Sequence, residues 1–189
     1  MIRIGILGGI GSGKSYVAKN FGYPVFDADY EVGKLYKRDK KIFYKLKKNL
    51  PKYISSFPVN KKEITSAILS DKNNLSKIIK VVHLEIRKKL NIFIKKNKKS
   101  KILILDIPLL LENKINNKKD VLIFIESKTS EVIKRLKKRK NFNHKLLKIF
   151  KNIQLPITYK KKKSQFIIKN DFTKKTVSNR IKNILNKLY

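Results

Sequence analysis

The sequence predicts an α/β fold: a parallel sheet with helices on both of its faces. Two observations carry this. Continuous apolar runs of four to six residues recur along the chain and alternate with longer stretches in which apolar residues return at helical spacing. Strands that are apolar throughout are buried on both faces, which is the signature of a parallel sheet covered by helices. The first run is also followed at once by a cluster of glycines and a lysine, so a tight loop joins the first strand to a helix.

Element by element, Ile2–Leu7 reads as a buried strand and Ser15–Phe21 as a short helix. Pro24–Phe26 is a short strand ending at Asp27. From Tyr30 to about Asn97 the pattern is helical, with Ile78, Ile79, Val82 and Ile86 at helical spacing. Ile102–Leu105 is a strand ending at Asp106, and Val121–Ile125 is another. Glu131–Arg139 reads as a basic helix, and Phe166–Ile168 as a final strand. Thr173–Leu188 is an amphipathic helix carrying Val177, Ile181, Ile184 and Leu188 on one face. The helical residues after the second strand are too many for one crossover, so 30–97 is expected to form an inserted helical subdomain. The stretch 139–163 is basic and lacks a strand signal, as a mobile flap would.

Composition bounds the function. The chain has 189 residues, 41% of them apolar, enough for a core without disulfides or a structural metal. There is no cysteine, which excludes a disulfide framework, a zinc ribbon and a cysteine nucleophile. No apolar run approaches the roughly 18–20 residues of a membrane span. The N-terminal apolar run leads into glycines and a lysine rather than a cleavage site, so no signal peptide is expected.

The net charge is +35, from 48 Lys and Arg against 13 acids. Such an excess suggests a nucleic-acid or membrane-surface protein. Yet only six of the 48 are arginine, and Lys, Ile and Asn together supply 86 of 189 residues. These are the residues of A- and T-rich codons, so the charge reads as composition drift onto solvated faces. The runs KKNKKSK (95–101) and KKKK (160–163) are read the same way. Residues that this bias disfavours are correspondingly informative. Five of the seven glycines lie within the first 13 residues, and Asp27, Asp29, Asp106 and Glu112 stand at or near the ends of apolar runs.

Gly8-Gly9-Ile10-Gly11-Ser12-Gly13-Lys14-Ser15 fits G-x-x-x-x-G-K-[ST] between a strand and a helix. A loop that wraps a polyphosphate must bring its backbone N–H groups close, and side chains would obstruct the approach. The fold expected is therefore that of the P-loop NTPases. Gly9, Gly11, Ser12, Gly13, Lys14 and Ser15 are candidate ATP-binding residues. Lys14 is expected to reach the β- and γ-phosphates and the Ser15 hydroxyl to bind Mg²⁺. Tyr16 follows and lies near the nucleotide or packs.

The carboxylates come next. Ligands of open α/β sheets bind beyond the carboxyl ends of the strands. Asp29 is placed there to take the proton of an attacking hydroxyl, or alternatively to cap the helix it opens. Asp27 can organise Mg²⁺-bound water. Asp106, at the end of an apolar strand, has the form of a Walker B carboxylate. Leu109–Leu111 read as core, and Glu112 either contacts substrate or caps a turn. His83 and Arg87 share a helix face and can pair toward a phosphate. Arg135 and Arg139 are one turn apart, and their planar forks suit phosphate oxygens. A basic segment closing over ATP would exclude water and bring positive charge to the transferring group.

With these residues assembled, the sequence resembles the dephospho-CoA kinases over nearly its whole length. The resemblance is carried by GGIGSGKS (8–15), VFDAD (25–29), VVHLEIR (81–87), LDIPLLLEN (105–113), QLPITYK (154–160) and FIIKN (166–170). It implies transfer of the γ-phosphoryl of ATP to the ribose 3′-hydroxyl of dephospho-CoA. It makes Asp29 the base, Lys14 and Ser15 the phosphate and Mg²⁺ ligands, and Arg135 and Arg139 lid arginines. It places Asn170 close to the adenine, and His83, Arg87, Leu109 and Glu112 at the acceptor. The implied organisation is one P-loop kinase domain: a core of about 1–29, 100–135 and 164–189, a CoA-binding insert of about 30–97 and a lid of about 136–163. Two departures stand out, His83-Leu84 where the family has His-Pro and Ser164-Gln165 where it has Ala-Asp. A cytoplasmic monomer or weak homo-oligomer is expected, with no membrane and no specific nucleic acid as partner. Two alternatives remain: a P-loop kinase for a nucleotide or other small metabolite, and a basic nucleic-acid-binding ATPase or chaperone.

Overall fold

The apolar runs all become strands. In a computed structural model that describes residues 1–139 and 142–188, they are β1 (Ile2–Gly8), β2 (Val25–Asp27), β3 (Ile102–Asp106), β4 (Val121–Glu126) and β5 (Phe166–Lys169). They pair in parallel in the order β2-β3-β1-β4-β5. β1 is central, and the loop that leaves its carboxyl end emerges beside the end of β3. That position, where connections diverge to opposite sides of the sheet, is where open α/β folds bind ligands. The register sets Asp27 opposite Asp106, so two carboxylates meet at the sheet's carboxyl edge.

Alternate side chains divide between the two faces, as strand geometry requires. On one face Ile4, Ile6, Ile102, Ile104, Ile123, Ile125 and Ile168 pack against α1 (Lys14–Asn20) and α9 (Lys174–Leu188). Val177, Ile181 and Ile184 of α9 are buried there, as their spacing predicts. Burying a side chain of this size stabilises by about 1.5–3 kcal/mol. On the other face Leu7, Phe26, Leu105, Leu122 and Phe124 join a larger core shared with the helical insert.

The insert is four helices: α2 (Ala28–Arg38), α3 (Lys40–Asn49), α4 (Lys61–Ser70) and α5 (Asn73–Lys96). Capping divides the long helical pattern. Asp39 ends α2 and accepts a hydrogen bond from Ile42 N–H to start α3. Between Pro51 and Pro58 the chain is not helical, and the Phe57–Pro58 peptide is cis. α5 buries Ile78, Val82, Ile86 and Leu90 in a single stripe, with Ile79 partly buried beside it.

One expectation needs correction. The basic helix, α6, runs Thr129–Lys137, two residues earlier than the charge pattern suggests, and Arg139 lies beyond its end. The stretch 139–163, which lacks a strand signal, is helical in two places. It contains α7 (His144–Asn152), begun by the Asn143 cap onto Leu146 N–H, and α8 (Ile157–Lys163). α8 packs on β1 and β4, whereas α7 lies against α4. Among the described residues no helix is long and apolar enough to cross a membrane.

Candidate active site

A cleft of about 860 Å³ opens above the carboxyl ends of the central strands. Its floor is the loop after β1. Gly11 and Gly13 hold φ of 81° and 88°, a conformation that side chains disfavour. Space is equally restrictive. A Cβ on Gly13 would overlap the Asn170 amide, and one on Gly11 would press into Val132 and Leu136 of α6. The glycines thus serve close packing from above as well as an open path to the backbone.

Lys14 begins α1 and folds back across its own loop, donating to Gly8 O at 3.2 Å and Gly9 O at 2.9 Å. Burial pushes its pKa down to about 8, with the Asp106 carboxylate opposing the shift and the Lys160 ammonium adding to it. Ser15 is exposed to the cleft, and its hydroxyl is bonded to Asp106. Asp106 is 5% exposed, and burial raises its pKa, a shift reinforced by Asp27 and Asp29 and opposed by the Ser15 bond and Lys14.

The DAD pair separates into two roles. Asp27 is the cap of α2: its Oδ1 accepts from Tyr30 N–H at 2.9 Å. Asp29 lies within the first turn of α2 and lines the cleft. The capping role open to Asp29 in the sequence thus belongs to Asp27. The residue Asp29 has solvent contact, yet enough protein surrounds its carboxyl for burial to raise its pKa, with Asp27 adding to the shift and Lys14 opposing it.

The roof is basic. Arg135, on α6, and Arg139, beyond its end, both line the cleft, together with Lys134 and Lys138. The Arg135 guanidinium stacks 4.3 Å from the centre of the Phe172 ring. Tyr16 lines the cleft and is 41% exposed, so it is not a core residue.

Other candidates lie behind or beside the cleft. Asn170 is buried: its Nδ2 donates to Ser12 O at 2.9 Å and its Oδ1 accepts from Phe172 N–H at 2.9 Å. Ser127 Oγ donates to the same Ser12 carbonyl. Asn170 therefore braces the phosphate loop from behind, with both ends of its amide occupied, and Ser12 and Gly9 do not line the cleft wall. Arg87 donates to Asn113 O at 2.8 Å and Lys114 O at 3.3 Å, capping the turn after β3, and contacts His83 at 3.4 Å. Burial and the Arg87 charge lower the His83 pKa. Leu109 is half-buried in the same turn, while Pro108 faces the cleft. Glu112 does not line the cleft, although its charge acts on Lys14: its Oε1 accepts from Lys160 at 2.6 Å and from Leu155 N–H at 3.0 Å.

Lys160 is the residue that sequence reasoning missed. The run KKKK (160–163) reads as solvated, yet Lys160 is 2% exposed. The lysines that follow mask it, although it stands one turn past Pro156 and closes the QLPITYK element (154–160). The two departures have local explanations. Ser164 Oγ donates to Lys160 O at the end of α8, and Gln165 Oε1 accepts from Leu122 N–H at 2.7 Å, extending the pairing of β4 with β5. Leu84 is exposed.

Comparison with known proteins agrees with this geometry. The family described as dephospho-CoA kinase (CoaE) matches residues 2–176. A dephospho-CoA kinase from Wolbachia sp. subsp. Brugia malayi is 36% identical over 190 residues, spanning 98% of this chain and 97% of the relative. Among solved structures, TT1252 from Thermus thermophilus superposes with a TM-score of 0.80 at 26% identity, covering 100% of this chain and 98% of the other. The dephospho-CoA kinase from Campylobacter jejuni shares the fold, with a TM-score of 0.65 at 20% identity, covering 98% of this chain and 96% of that one.

Proposed function

The chain belongs to the dephospho-CoA kinase family and phosphorylates dephospho-CoA to CoA at the expense of ATP; on that premise we propose how its residues divide the work and where the phosphoryl group goes. The acceptor is the ribose 3′-hydroxyl. Asp29 is the base. It is the carboxylate of the DAD element that faces the cleft, while Asp27 is committed to capping, and its raised pKa suits proton acceptance. This separation is the observation that carries the assignment.

ATP lies along the phosphate loop, with Lys14 swinging from Gly8 O and Gly9 O onto the β- and γ-phosphates. Gly11, Gly13 and Ser15 line its path, and Tyr16 borders it; Gly9, Ser12 and Asn170 shape the loop from behind. Arg135 and Arg139 bring positive charge to the transferring group from the roof. The oxygen donors Ser15 and Asp106, already bonded to each other, fit Mg²⁺, with Ser15 as direct ligand and Asp106 acting through water. Bound there, the ion would neutralise phosphate charge. The residues' own task is in-line positioning and removal of the hydroxyl proton by Asp29.

The helical region 30–97 holds the CoA moiety, with His83, Arg87 and Leu109 at the acceptor side. Residues 136–163 supply the lid, of which α7 is the movable part because α8 packs on the sheet. The reaction belongs in the cytoplasm, and the enzyme works as a monomer or weak homo-oligomer.

The test is coupled ADP release with Mg-ATP and, in turn, dephospho-CoA, adenosine and RNA. Release that depends on dephospho-CoA, with a product about 80 Da heavier as one phosphoryl group requires, is expected. Phosphate located on any other hydroxyl by NMR would refute the 3′ assignment. Release driven by RNA would make the basic charge the functional signal.

A further inference from the structure

A buried ion pair whose two charges act on Lys14 in opposite senses has no role assigned to it in the reaction above. Lys160 Nζ lies 2.6 Å from Glu112 Oε1, with the two side chains 2% and 10% exposed. The same carboxylate oxygen accepts Leu155 N–H at 3.0 Å, while Oε2 is buried without a hydrogen-bond partner. An isolated pair of this kind contributes little to stability, since desolvation offsets the attraction. Its position is more telling. Glu112 belongs to the turn after β3, which Pro108 carries to the cleft. Leu155 belongs to the four-residue link 153–156 between α7 and α8, and its neighbour Gln154 also lines the cleft. Lys160, on α8, is fixed by that helix's packing on β1 and β4.

We propose that Lys160 and Glu112 are positioning residues that tie the turn after β3 to the hinge of α7, so that seating dephospho-CoA at the turn biases the lid. The inference rests on the reading that this turn faces the acceptor. Lys160 holds the Glu112 carboxylate in place, and Glu112 holds the hinge through Leu155 N–H. A shift of the turn by the acceptor is thereby transmitted to 153–156 without passing through the nucleotide. By linkage, closing the lid tightens the acceptor to the same degree.

Hydrogen exchange on the wild-type enzyme tests this directly, with dephospho-CoA alone, a non-hydrolysable ATP analogue alone, or neither. Dephospho-CoA alone is expected to slow exchange in the turn 107–114 and also at 153–157, the latter by about fivefold or more, the low end of ordinary couplings. A slowed turn with an unchanged hinge overturns the proposal and leaves the acceptor site intact. If neither segment responds, the acceptor reading fails and the proposal with it. A second test uses E112Q/K160M, in which no lone buried charge remains and the Leu155 acceptor is kept. The folded variant should raise KM for dephospho-CoA by about 5–50-fold, within the usual span of coupling strengths, while ATP affinity stays within about twofold. Unchanged kinetics, or equal losses for both substrates, would overturn the coupling. Should the variant not fold, the exchange experiment decides alone.

Discussion

The two faces of the sheet are built differently. The face under α1 and α9 is closed by isoleucines from four strands and by helices adjacent to the sheet in the chain or at its end. The opposite face is leucine- and phenylalanine-rich, and its core continues without a break into the insert and up to Leu146, Ile149, Phe150 and Ile153 of the α7 region. The first face seats α1, whose first turn carries Lys14 and Ser15. The second joins the sheet, the helical insert and α7 through one set of contacts, so on the proposed reading a change there reaches the acceptor. The charged cleft lies at the edge between them.

The strongest way to break this comparison is at the edge itself. Asp29→Asn should lower kcat by about 10²–10⁴, the span of a lost general base, with ATP affinity preserved in equilibrium titration. The wild-type kcat/KM profile should fall on the acid side at a pH above the ordinary aspartate value, because burial and Asp27 raise the Asp29 pKa.

Next comes the closed face. Ile104→Ala removes a fully buried side chain and should cost about 2–5 kcal/mol of unfolding free energy. Its KM values, measured on the folded enzyme, should not change. Altered KM would show that this face is not merely packing.

Lys14→Met should do the opposite. The folded-state pKa of about 8 lies below the unfolded value of 10.5. Below pH 8 both states are protonated and the fold bears the full penalty of a buried charge; between 8 and 10.5 the native state loses its proton first and stability rises with pH. At pH 7 the variant is expected to gain about 1–2 kcal/mol after losing two carbonyl contacts, and to lose turnover. For the wild type, ATP affinity should decline as pH rises through about 8, with proton uptake on binding measurable by calorimetry in two buffers.

The smallest effect is expected on the open face. Phe150→Ala, at the half-buried face of α7, should cost about 1 kcal/mol of stability. It should still raise KM for dephospho-CoA, read beside an unchanged ATP constant. A stability loss as large as that of Ile104→Ala, with unchanged KM, would erase the distinction between the faces.

The strands, the phosphate loop and the α9 stripe were all legible in the sequence, because each depends on local order. A strand buried on both faces must be apolar throughout, a loop that meets both phosphate and packed neighbours must be glycine, and a helix covering a sheet must repeat its apolar residues every turn. The resemblance of spaced motifs then identified the reaction. Roles that depend on what lies opposite were not legible. Asp27 and Asp29 are two residues apart and chemically alike, and only the start of α2 decides which one caps and which faces the cleft. Asn170 braces the loop 158 residues away, Arg87 caps the turn after β3, and Glu112 turns from substrate to Lys160. Lys160 itself is one of 42 lysines; it closes the QLPITYK element, but that motif does not say that it is buried against Glu112. Local sequence sets which conformations a segment prefers, whereas the environment of a charge is set by residues distant in the chain, and these meet only when the sheet has aligned its carboxyl ends.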